Sequence, residues 1–238
     1  MIGKLADWQI GKLERLNNFL TDNNMKQIVI LIGFMLLLSC NSENIEIRKS
    51  FYPNGNIKSE ISYCNGVVNG IVKHYHENGS LKEESSWKND QPIGCGKIYY
   101  SNGNVLSEKC YENGKVEGKV LGYYESGKKK VEATFKKGVL NGEYKEFSED
   151  GTLLSVVSYM NDKKNGQYLK YSTNGVRIQE GFYKNDLLDG DVLVYGEDGV
   201  LYEKQHFVNG ILNGKALSFD EKGKVINMVL YKNGTIVK

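Results

Sequence analysis

Proline, histidine and net charge are all scarce in this chain. Its 238 residues hold two prolines and three histidines, and Lys+Arg 31 against Asp+Glu 29 leaves a formal charge of +2. Near-balanced charge argues against a nucleic-acid binder working through bulk positive potential. Scarce proline leaves almost every backbone N–H free to donate to a ladder, as a β-sheet requires. Scarce histidine leaves little material for a metal centre. His74 and His76 lie two apart on an expected strand and face the same way, but two imidazoles without a third ligand nearby under-determine a site, and a solvated sheet edge is the plainer reading. His206 stands alone in its stretch. No Ser-His-Asp order, no Cys-His pair with an orienting group and no helix-borne HExxH occurs. The expectation is no enzyme, no metal and no cofactor.

What the chain has is glycine, 27 residues of it, and tyrosine, 16 residues. From Phe51 onward they keep a fixed beat. Glycines at Gly55, Gly79, Gly103, Gly127, Gly151, Gly175, Gly199 and Gly223 recur every 24 residues, and so do Gly70, Gly94, Gly118, Gly142, Gly166, Gly190 and Gly214. A second turn position alternates Gly with Asp, from Gly66 and Asp90 to Gly210 and Gly234. Twenty of the 27 glycines fall on these turn positions, which accounts for them without a phosphate-binding loop. Aromatics are equally regular. One set runs Phe51, Tyr75, Tyr99, Tyr123, Phe147, Tyr171, Tyr195, Phe219, and a second Tyr63, Trp87, Tyr111, Phe135, Tyr159, Tyr183, Phe207, Tyr231.

A fixed period of this size means a repeat architecture. Asn54-Gly55, Asn102-Gly103, Asp150-Gly151 and Asp198-Gly199 are strong hairpin signals, because such turns need positive φ. The runs between turns have strand length. The predicted fold is all-β: eight hairpins in one antiparallel meander of about sixteen strands, roughly 75 Å long before twist. A lone hairpin is marginal in water, so stability must come from neighbour stacking. The paired aromatics are expected to form one continuous apolar row. Burying one ring contributes about 1.5–3 kcal/mol, so Tyr111→Ala should loosen three neighbouring strands.

The unit resembles a known family. Tyr75, Asn78-Gly79, Leu81, Glu84, Trp87 and Gly94 follow the pattern of the bacterial variant of the MORN repeat, and Tyr171, Asn174-Gly175, Glu180, Tyr183 and Gly190 follow it again, with Arg177 in place of the usual apolar residue. The resemblance covers Phe51 to Lys238. The Glu row drifts late, with Val156, Lys204 and Met228 standing where Glu60, Glu84, Glu108, Glu132 and Glu180 stand elsewhere. Adjacent members of that row should lie two strands, about 10 Å, apart, too wide to share a proton. A solvated ladder opposite lysines is expected instead. This variant family is commonly labelled the YwqK-like antitoxins.

Ahead of the repeats, Lys26 precedes an apolar run from Ile28 to Leu38, too short to span a bilayer and suited to a signal peptide. Leu37-Leu38-Ser39-Cys40 resembles the lipobox of bacterial lipoproteins, which implies lipid on Cys40. The expected layout is an upstream start-site extension over 1–24, a signal over 25–39, a lipidated Cys and irregular polar tether over 40–50, and repeats over 51–238.

Three further cysteines remain. If Asn102-Gly103 is a two-residue turn, Cys95 stands directly opposite Cys110, within disulfide reach, and the compartment outside the inner membrane permits oxidation; a longer or bulged turn would destroy the match. Lys58, Lys82 and Lys130, with Lys73, Lys97 and Lys145, thicken the basic side of the first half. A binding face of Tyr75, Trp87, Tyr99, Tyr111, Lys73 and Lys97 is expected. The reading is a non-enzymatic interaction scaffold of the cell envelope, anchored to the membrane (the outer membrane, facing periplasm or surface) through Cys40. Its expected partner is a protein, and the resemblance implies a toxin and an antitoxin or immunity role. Alternatives are a structural or assembly lipoprotein and a module for lipid head groups or glycans. Open sheet ends allow weak self-association.

Overall fold

The computed structural model describes residues 44–237. The upstream extension, the signal and Cys40 lie outside the described residues. Twenty strands, from Ile45–Phe51 to Thr235–Ile236, form one sheet. Each long strand pairs antiparallel with the one before and the one after it, as Val67–Tyr75 does with Ile57–Cys64 and Leu81–Lys88. The meander is therefore the predicted one. The count exceeds sixteen mainly because kinks cut two-residue pieces such as Lys115–Val116, Leu187–Leu188 and Ile211–Leu212 from the strands that follow.

One boundary moves. Ile45–Phe51, of which all but Phe51 was expected to be irregular tether, is a strand paired with Ile57–Cys64. Its sequence IEIRKSF opens with the period-two alternation of a strand. Ser50 and Ser59 hydroxyls sit 2.7 Å apart, and the Lys49 ammonium lies 2.7 Å from the Glu60 carboxylate.

The two turns of each repeat differ in kind. At Asn65-Gly66, Asn89-Asp90 and Asn161-Asp162 both central residues have positive φ, the primed two-residue turn that matches strand twist. The Asn-Gly turns that looked like the two-residue ones are longer. Tyr100 N–H donates to the Asn104 carbonyl and Gly103 N–H to the Tyr100 carbonyl, which closes a three-residue loop with only Gly103 left-handed. The exit strand then carries one extra residue: Tyr99 opposes Val105 while Ile98 opposes Ser107, leaving Leu106 as a bulge.

The recurring glycine at Gly70, Gly142 and Gly166 pivots a second kink, with φ between 114° and 134°. At Gly142 a Cβ would stand 2.8 Å from Thr134 Cβ, so no other residue fits. On its other side each such glycine faces a second-set aromatic: Gly70 opposes Trp87, Gly94 opposes Tyr111 and Gly142 opposes Tyr159.

Register also separates the two aromatic sets. Tyr111 opposes Gly94, and Tyr99 lies five residues beyond Gly94 on the same strand. An odd step reverses the side, so the two rings point to opposite faces. The expected single row of paired aromatics is thus two rows, one per face. On the second-set face a thin core runs along the midline: Val72, Ala133, Tyr168 and Val192 are each at most 5% exposed. Sizes alternate there. Tyr168 lies opposite Gly181, where a Cβ would come within 2.7 Å of the ring and 3.1 Å of Val192. Tyr168 and Tyr183 rings approach to 4.9 Å on this face, and burial pushes the Tyr168 phenol up to about 12.

Candidate functional site

The opposite face carries the first aromatic set and the charged ladder. Lys73 opposes Glu84, which opposes Lys97, which opposes Glu108. The ion pairs measure 2.7 Å for Lys49–Glu60, 3.5 Å for Lys73–Glu84 and 3.0 Å for Lys97–Glu108. Farther along, Lys119 and Lys129 both reach Glu132 and hold its carboxyl down at about 2. Each exposed pair adds little stability, up to about 1 kcal/mol. Its effect on the face is larger, because charges of both signs are neutralised pairwise along the row.

Beside the ladder lies an apolar strip. Tyr75 opposes Leu81, Tyr99 opposes Val105, Phe147 opposes Leu153 and Tyr195 opposes Leu201. Rings and branched aliphatics therefore alternate across the strands. The strip is not the expected row of paired aromatics: it is built from one aromatic set and the residue two after the turn glycine. Two cations interrupt it. Lys129 sits 5.6 Å from the Phe147 ring centroid and Arg177 5.0 Å from that of Tyr195. Tyr75 hydroxyl donates to Glu60 at 2.7 Å and Tyr195 hydroxyl to Glu180 at 2.6 Å, each carboxylate on a neighbouring strand. Both rings remain half-buried on this face. Burial and the Glu60 carboxylate push the Tyr75 phenol up to about 12.

Of the six residues expected to share a binding face, Tyr75, Tyr99, Lys73 and Lys97 are on the ladder face. Trp87 and Tyr111 are on the other, where Trp87 Nε1 donates to Ser85 Oγ at 2.9 Å. The basic side divides as well. Lys73 and Lys97 are ladder members and Lys145 pairs with Glu143, whereas Lys82 and Lys130 are the extra residues of bulges. Lys58 and Lys130 stand 5.8 and 5.3 Å from the Tyr52 and Tyr124 rings.

Cys95 does stand directly opposite Cys110, Cα atoms 3.9 Å apart, and the two form a disulfide. The route differs from the expected one. A three-residue loop shifts the register by one, and the Leu106 bulge restores it, so the two departures cancel. Cys95 and Cys110 lie on the ladder face beside Lys97 and Glu108.

His76 is a structural tie. Its Nε2 donates to the Tyr99 carbonyl at 2.9 Å. Tyr52, Tyr100 and Tyr124 hydroxyls do the same for the Tyr75, Tyr123 and Phe147 carbonyls at 2.7–2.8 Å. These ties escaped the sequence reading, although doublets at 51–52, 75–76, 99–100 and 123–124 keep the same beat. His206 Nδ1 lies 2.7 Å from Asp191, which also takes Lys204 at 2.6 Å. Among the described residues no group of three or more His, Cys, Asp or Glu is placed to hold a metal ion.

No curated protein matches the chain. A family model described as the MORN repeat variant matches it eight times in succession, at residues 47–65, 68–89, 92–113, 116–137, 140–161, 164–185, 188–209 and 212–233. Each match ends on the first residue of a primed turn and encloses one three-residue loop, and every match after the first also encloses a glycine kink, over most of the chain's length. The chain belongs to the MORN repeat variant family.

Proposed function

We propose that the chain is a non-enzymatic interaction scaffold, held at the bacterial cell envelope by lipid on Cys40, that binds an extended partner across its strands on the ladder face. One observation carries this reading. First-set rings recur on one face at every second strand, beside a row whose charges are already paired. A surface of that kind offers many equal, shallow contacts in a line and no concave centre, which suits a partner that is long in one direction.

A photo-crosslinking residue placed at Lys97 on the ladder face, and separately at Glu83 on the other face, tests it in cells making the full chain. An adduct of raised mass from position 97 and none from 83 is expected. Equal adducts from both positions, or none from 97, would overturn the reading.

A further inference from the structure

The strip on the ladder face has a length scale. Tyr75, Tyr99 and Tyr123 are separated by two strands each, and strands in a sheet lie about 4.8 Å apart, so successive rings recur at about 10 Å. That is close to the length of one disaccharide in an extended β-1,4-linked glycan, whose sugar units flip at each step and present the same face every second residue. Between the rings stand Leu81 and Val105, not charges. Alongside run the Lys73–Glu84 and Lys97–Glu108 pairs, which supply N–H donors and carboxylate acceptors suited to hydroxyls.

We infer that the strip from Tyr75 to Tyr123 binds a single β-1,4-linked glycan chain laid across the strands, one disaccharide per repeat. The inference rests on the scaffold reading and names its partner. Sugar C–H faces stack on the half-buried rings, and the hydroxyls meet the ladder. Charge matching selects the class. Lys49, Lys73 and Lys97 are each already paired with a glutamate, so an uncharged, hydroxyl-rich polymer leaves the ladder intact. A polyanion such as nucleic acid or an anionic lipid surface would have to break those pairs to be held. Sheet twist turns each ring relative to the last, so a single flexible chain follows the row better than a flat crystalline surface.

Titration calorimetry of the purified protein against chitobiose, chitotetraose and chitohexaose tests the inference, with maltohexaose as the α-linked control. Affinity should rise roughly tenfold with each added disaccharide up to three, as each engages another ring. Maltohexaose should bind at least tenfold more weakly than chitohexaose. Tyr99→Ala should cost the hexamer about tenfold, Tyr99→Phe should restore most of it because the ring is kept, and Trp87→Ala on the other face should change nothing beyond twofold. Circular dichroism checks that each variant is folded. Folded protein that ignores chitohexaose, binds it without length dependence, or prefers the α-linked chain overturns the glycan assignment. So does loss of binding in Tyr99→Phe. If the glycan fails while position 97 still crosslinks to a protein, the scaffold stands and its partner is a protein. If position 97 yields no adduct of any kind, the scaffold reading itself falls.

Discussion

The sharpest quantitative expectation concerns the Cys95–Cys110 bridge. It closes a segment with a sequence separation of 15 around the three-residue loop at Ser101 to Gly103. A cross-link closing about 15 residues removes unfolded-chain entropy worth about 3 kcal/mol. Replacing both cysteines by serine should therefore cost about 2–3 kcal/mol. Cys95 is exposed and Cys110 half-buried, so the hydroxyls add little desolvation of their own. In a repeat array each unit contacts chiefly its neighbours, so the loss should be local. Equilibrium urea unfolding measures the total, and amide exchange read by mass spectrometry locates it. Protection should fall first over Gln91–Tyr99 and Val105–Glu112 and the strands beside them, leaving Lys163–Tyr171 and Arg177–Lys184 unaffected. A loss below about 0.5 kcal/mol, or protection falling evenly along the array, would refute the reasoning.

Two other expectations follow from the same structure, and a third from the proposed anchor at Cys40. Gly142→Ala should destabilise by about 2 kcal/mol or more, because φ is +134° and the new Cβ meets Thr134 Cβ at 2.8 Å; an unfolding midpoint unchanged from the parent would contradict the kink's role. Glu132, with its pKa held near 2 by Lys119 and Lys129 against 4.5 unfolded, contributes stability that is complete above pH 4.5 and is lost as pH falls through 2, so Glu132→Gln should flatten that acid limb; parallel urea-midpoint curves for parent and variant between pH 5 and 2 would refute it. Labelled palmitate fed to producing cells should enter the protein and be lost in Cys40→Ser, which should leave the membrane fraction; label retained by the variant would place the lipid elsewhere.

Much of this fold was legible in the sequence because the repeat writes each rule eight times. Gly55 through Gly223 set the hairpin beat, and the scarcity of proline suited a sheet. The turn types were not legible from Asn-Gly alone. Asn102-Gly103 and Asn65-Gly66 share a dipeptide, yet one sits in a three-residue loop and the other in a primed two-residue turn, because the adjoining bulges decide which closes. That the cysteines still met follows from a bulge and a longer loop each adding one residue, a cancellation no local rule announces. The split of the aromatics between faces was within reach. The pairing that sets Cys95 against Cys110 also sets Tyr111 against Gly94, an odd number of residues from Tyr99. The strand at Ile45–Phe51 was read by its polarity when its alternation carried the signal.

The side-chain ties along the three-residue loops stop midway. Tyr52, His76, Tyr100 and Tyr124 bond the next repeat's carbonyl, and Asn56 and Asn104 bond Glu77 and Glu125 carbonyls. Ser148, Ser172, Gly196 and Asp220 occupy the same place afterwards, and among the described residues none reaches across. The opposite margin stays joined through the second half, as Asp162 N–H to Leu140, Asp186 N–H to Lys164, Gly210 N–H to Leu188 and Gly234 N–H to Leu212 show. The molecule is thus laced on both sides over its first half and on one side over its second. Under tension, or in a protease, the second half should open like a book whose spine is intact, while the first half stays shut.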